Sequence, residues 1–111
     1  AMKLLKGQSP ANLRERCSLV TARANLAETG DDPKTALELY REAEALWKEC
    51  GHVVYRGEAV LGAGRSLLAL GRSNEAAGKL LEAREVFAGL GARPLAGDAD
   101  GLLQRASGTG A

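Results

Sequence analysis

This chain is poor in the side chains from which chemical sites are usually assembled. It has one histidine, two cysteines, one methionine and only 4% aromatic residues. A metal centre draws on three or four convergent ligands, and a hydrolytic triad on a nucleophile, a base and an orienting group. His52 alone, one residue past Gly51, supplies too little for either. Cys17 and Cys50 fall outside the C-x-x-C spacing of redox and metal motifs and read as reduced, partly buried hydrophobes rather than a disulfide. An excess of one charge is also lacking. The net charge of +1, from 15 basic and 14 acidic residues, gives no long-range pull on nucleic acid, an anionic membrane or a charged substrate. Only residues 1–30 lean basic, and that excess reads as a solvated face. No apolar run approaches the roughly 20 residues that cross a bilayer, and no charged-then-apolar leader opens the chain. A soluble cytoplasmic protein is expected.

What the chain does have is glycine, 14 of its 111 residues, and internal repetition. The segment from Asp31 to Gly51 reappears 40 residues later: Ala36, Tyr40, Ala43, Trp47 and Cys50 line up with Ala76, Leu80, Ala83, Phe87 and Leu90. Each set is spaced 4, 3, 4, 3, which places five side chains on one stripe of an α-helix and on no single face of a strand. The preceding segments correspond with an offset of 41, Leu19, Ala22, Leu26 and Gly30 against Val60, Ala63, Leu67 and Gly71. One extra residue in the turn Gly30-Asp-Asp-Pro33 accounts for the difference, since turns tolerate insertions.

The punctuation agrees. Ser9-Pro10 and Asp32-Pro33 set a capping oxygen before a proline whose missing N–H is harmless at the first helical position, and Ser73 with Glu75 reads as another helix start. Gly30, Gly51, Gly71 and Gly91 stand where helices should stop. The spacing predicts helices near 10–29, 33–50, 53–70, 73–90 and 94–106. That is an all-α chain of two antiparallel hairpins, 10–50 and 53–90, and a terminal helix continuing the 40-residue register. Residues 1–9 read as a flank, with Ala1 before Met2 a vector remnant, and 107–111 as a frayed, disordered tail.

These residues resemble the tetratricopeptide repeat (TPR) family, in which small and large apolar positions alternate as L-G-x-x-Y, then Ala-x-x-x-Phe, then Ala. Here the second repeat reads Ala63-Gly64-x-x-Leu67, Gly71, Ala76-x-x-x-Leu80 and Ala83, and the first reads Leu26, Gly30, Ala36-x-x-x-Tyr40 and Ala43. Three features depart from the pattern: Arg23 stands opposite Gly64, the period is 40 rather than 34, and no proline follows Trp47 or Phe87. The long period and the phrase Glu85-Val-Phe-Ala-Gly-Leu-Gly-Ala-Arg-Pro94 are similar to the repeats of bacterial LuxR-type regulators and signal-transduction ATPases or cyclases. The resemblance implies a short right-handed solenoid with no chemistry of its own. Its concave face would be lined by Glu58, Leu61, Arg65 and Leu68 of the third helix, by Cys17, Val20, Ala24 and Ala27 of the first, and by Asp98, Gly101 and Arg105 of the last. Such a lining suits a peptide or helix bearing a carboxylate, through Arg65 and Arg105.

Other motifs have plainer readings. Gly62-Ala-Gly64-Arg65 lacks the strand and the full fingerprint of a phosphate loop and reads as close helix packing. Glu42 with Glu44, and Asp98 with Asp100, fall on different helical faces. Tyr40 and Trp47 lie on the apolar stripe and read as core. The expected function is a non-enzymatic interaction scaffold within a larger bacterial signalling protein, with no cofactor, binding a protein segment or another domain of its parent. A small-molecule effector sensor is the alternative. The ends, with Leu4 and Leu5 at one and Leu102 and Leu103 at the other, are candidates for pairing into a homodimer.

Overall fold

The computed structural model describes residues 10–110, which form five α-helices and, among the described residues, no strand. They are α1 (Pro10–Thr29), α2 (Pro33–Cys50), α3 (Val53–Ala69), α4 (Ser73–Gly89) and α5 (Arg93–Gly110). Each packs against its neighbour in sequence, α5 also touches α3, and the molecule measures 49 × 31 × 21 Å. Its thin dimension is two helix diameters, so odd- and even-numbered helices form two layers. The flank 1–9, with Leu4, Leu5 and Ser9, and the terminal Ala111 lie outside the described residues.

Local chemistry explains the helix ends. Asp32 caps α2 by accepting from the Thr35 backbone N–H at 3.3 Å. Gly51, Gly71 and Gly91 take left-handed φ values of 83°, 78° and 72°, which turn the next backbone N–H back to the carbonyls of Trp47, Leu67 and Phe87. At α4 the cap is Arg72 rather than Ser73. No side chain bonds the free amides, and the Arg72 guanidinium instead clips Glu75 with two 2.7 Å bonds. The last helix continues to Gly110 instead of fraying after 106. Its Ser, Gly and Thr are weak helix formers, but beyond Pro94 no proline interrupts the ladder, and each added residue closes one more bond.

The first turn overturns one expectation. Gly30 still bonds the Leu26 carbonyl at 2.9 Å in helical fashion, and the left-handed residue is Asp31, φ 63°. The next amide, of Asp32, reaches back to Ala27 at 2.9 Å, as that of Arg72 reaches Leu67. Asp31, not Gly30, is therefore the counterpart of Gly71, and a single offset of 40 runs through the chain. Burial agrees: Cys17, Val20 and Ala24 are 0%, 7% and 0% exposed, like their 40-residue partners Gly57, Val60 and Gly64. Leu19 and Leu26, the partners under an offset of 41, are 51% and 72% exposed. Ala24, not Arg23, occupies the place of Gly64.

Small residues set how closely the layers approach. Ala36, Ala43, Ala76 and Ala83 are all fully buried. α3 is squeezed from both sides: a Cβ on Gly62 would stand 2.5 Å from the Tyr40 ring of α2, and one on Gly64 would stand 2.5 Å from Leu80 of α4. Gly62 and Gly64 thus face neighbouring helices, as packing residues do. Leu102 and Leu103 are half-buried against the same core. Cys17 is buried, Cys50 half-buried, and both are free thiols.

Candidate functional site

The odd-helix layer carries a groove made of three adjoining hollows of about 210, 450 and 230 Å³, and Arg65 borders all three. α3 supplies Glu58, Leu61, Arg65 and Leu68, spaced 3, 4, 3 along one helical stripe. α5 supplies Asp98, Gly101 and Arg105, each 40 residues after Glu58, Leu61 and Arg65. The structure thus brings together Glu58, Leu61, Arg65, Leu68, Asp98 and Arg105. On α1 the lining differs from the expected set: Cys17, Val20 and Ala24 are buried and Ala27 half-buried, whereas Thr21, Asn25 and Glu28 face the hollows. The uniform 40-residue register is the reason, because Thr21, Asn25 and Glu28 are the true counterparts of Leu61, Arg65 and Leu68.

Glu28 was not singled out by its sequence context, and it dominates the electrostatics. Arg65 Nε and Nη2 donate to its two carboxylate oxygens at 2.7 and 3.0 Å, bridging α3 to α1 in a forked pair. The Tyr40 hydroxyl lies 2.6 Å from both Glu28 Oε1 and Asn25 Oδ1. One phenol proton serves one acceptor, and the carboxylate is the stronger. Asn25 Oδ1 stands as the second acceptor within reach of the same phenol proton. Arg65 is therefore already engaged within the chain, by Glu28. Arg105 too has an interaction partner.

The network leaves a signature at both ends of the pH scale. Arg65's hydrogen bonds hold the Glu28 carboxyl below its ordinary value; partial burial opposes them and Tyr40's bond adds to them. Burial, then the adjacent Glu28 carboxylate, pushes the Tyr40 phenol up to about 12. A depressed carboxylate contributes stability above its unfolded value of 4.5, and that contribution disappears as pH falls through the folded value. A raised phenol contributes below its unfolded value of 10.0, and that contribution disappears as pH rises toward 12. Denaturation midpoints should therefore fall more steeply between pH 5 and 3 in the native chain than in Glu28→Gln. Tyr40→Phe should flatten the fall above pH 10. Equal slopes in native and variant chains would remove the network from the stability balance.

At the other end of the groove, Trp47 is pinned by its indole N–H to Thr21 Oγ1 at 2.9 Å, and that hydroxyl donates to the Cys17 carbonyl at 2.7 Å. Trp47 is 4% exposed, as expected of a core residue, yet it also borders the first hollow. Tyr55, 47% exposed, tilts over it with ring centroids 4.6 Å apart, and His52 packs edge-on at 5.4 Å. Of the paired acids, Glu44 binds Lys79 at 2.9 Å and Asp100 binds Arg84 at 2.7 Å on the outside. Among the described residues Glu58 and Asp98 make no ion pair or hydrogen bond. Also among them, no three His, Cys, Asp or Glu side chains converge to hold a metal ion, and no helix is long and apolar enough to cross a membrane.

No protein-family model, curated protein or solved structure matches this chain.

Proposed function

We propose that the chain is a non-catalytic scaffold of TPR-like build, whose odd-helix groove holds an extended or helical segment of another protein or of its own parent. The observation that carries this reading is the continuity of the groove. Three hollows share Arg65, and their lining comes from positions that recur every 40 residues on α1, α3 and α5. A side chain repeated at a fixed rise offers successive sockets to a linear partner, which is how stacked hairpins present a binding surface. The Glu28–Arg65–Tyr40 network ties α1, α2 and α3 together beneath the groove and holds its floor rigid. Rigidity lowers the ordering cost of binding.

Gly97 and Gly101 border the groove on α5, and a Cβ at either would meet nothing within 4 Å. Tryptophan at either position should therefore fill the hollow while the core stays intact. In selections from a random dodecapeptide library, the native chain should enrich binders whose affinity falls at least about tenfold, or 1.4 kcal/mol, on Gly101→Trp. Circular dichroism checks that the variant keeps its fold. Binders indifferent to Gly101→Trp and Gly97→Trp would remove the groove from the interaction.

A further inference from the structure

We infer that the segment held in the groove is basic, and that an arginine side chain of it seats in the hollow bounded by Trp47, Tyr55, Glu58 and Asp98. This rests on the groove being a binding surface, and adds what chemistry it selects. Three acids and two bases line the groove: Glu28, Glu58 and Asp98 against Arg65 and Arg105. Arg65 is matched by Glu28 and Arg105 has a partner of its own, whereas Glu58 and Asp98 have none among the described residues. The uncompensated charge of the groove is negative.

Its position is also specific. Glu58 on α3 and Asp98 on α5 are 40-residue counterparts, and both border the same hollow of about 210 Å³. Tyr55 stands three residues before Glu58, on the same helical face, with its ring half-exposed and backed by Trp47. An electron-rich aromatic wall beside carboxylates suits a cation carried on an apolar stem. The methylenes lie along Tyr55 and Leu95, and the head meets the acids. Arginine fits better than lysine, because its planar head both stacks on a ring and donates in a fork to a carboxylate. The Thr21 and Asn25 side chains on the opposite wall are neutral and do not repel it.

The test uses the only tryptophan, Trp47, as a reporter inside the hollow. The probes are three acetylated, amidated nonapeptides of repeating Gly-Leu-X, with X arginine, lysine or glutamate, and N-acetylarginine amide alone. The arginine peptide should shift Trp47 emission and bind at least about tenfold tighter than the glutamate peptide. Glu58→Gln with Asp98→Asn should erase most of that preference. Glu42→Gln with Glu85→Gln, the same charge change at exposed sites outside the groove, should leave it in place. An equal loss in both double variants would overturn the inference by reducing it to net charge. Glutamate-peptide binding as tight, and abolished by Gly101→Trp, would overturn the cation socket and leave the groove standing. N-acetylarginine amide binding as tightly as the arginine peptide would overturn the peptide as occupant. No binding by any probe, while library-selected binders are still lost on Gly101→Trp, would overturn the basic occupant and leave the groove standing.

Discussion

Gly62→Val lowers the stability of the chain by about 3 kcal/mol, although valine is the better helix former by a few tenths of a kcal/mol. The cause is the ring of Tyr40. A Cβ at position 62 stands 2.5, 2.6 and 2.7 Å from three of its carbons, closer than such atoms approach, and valine adds two methyl groups beyond. The ring has nowhere to retreat. It is 2% exposed, and its hydroxyl is held by Glu28 and Asn25 at 2.6 Å, so moving it disturbs the network beneath the groove. Gly64→Val acts the same way against Leu80, which is fully buried. The control has the opposite sign. Gly78 lies in the middle of α4 with nothing within 4 Å of a Cβ, so Gly78→Ala should raise stability by about 1 kcal/mol through helix propensity alone. Urea titrations followed by far-ultraviolet circular dichroism read both. A neutral or stabilising Gly62→Val would mean that α2 and α3 do not approach as closely as described.

That contrast also marks what a bare sequence can and cannot say here. Helix limits were legible because they depend on local chemistry: a proline after Asp32, and glycines at 51, 71 and 91 that adopt left-handed φ at no steric cost. The stripe of α2 and its echo in α4 were legible for the same reason, since both carry large apolar residues at spacings that suit only a helix. The register of α1 was not. Leu19, Ala22 and Leu26 form one stripe of helical spacing, and Cys17, Val20 and Ala24 form another. Nothing in α1 alone says which stripe faces α2. Leucine is the larger hydrophobe, so the first stripe looks like core, but close approach of α1 and α2 demands the smaller residues. The available signal was Asp31, a residue type that tolerates the left-handed conformation, because placing the stop there restores a uniform period. The groove positions of α3 and α5 followed from the repeat. Glu28 did not, because it became conspicuous only once it stood at the counterpart of Leu68, facing Arg65.

Leu67→Ala against Leu26→Ala puts the corrected register to a direct thermodynamic test. With an offset of 41 the two leucines would be equivalent and their truncations would cost alike. With an offset of 40 they are not, because Leu67 is 1% exposed in the main core cluster and Leu26 is 72% exposed on the outer face of α1. Truncating a buried leucine removes its transfer free energy and leaves a cavity, together about 2 to 5 kcal/mol. Truncating an exposed one changes stability by about 0.5 kcal/mol or less. Leu67→Ala should therefore lose about 3 kcal/mol, which lowers the thermal midpoint by roughly 12 to 20 °C for a domain near 100 residues. Leu26→Ala should leave the midpoint nearly unchanged. Leu19→Ala, on the same exposed face, should behave like Leu26→Ala. Comparable losses at positions 26 and 67 would restore the longer offset and return Cys17, Val20 and Ala24 to the groove.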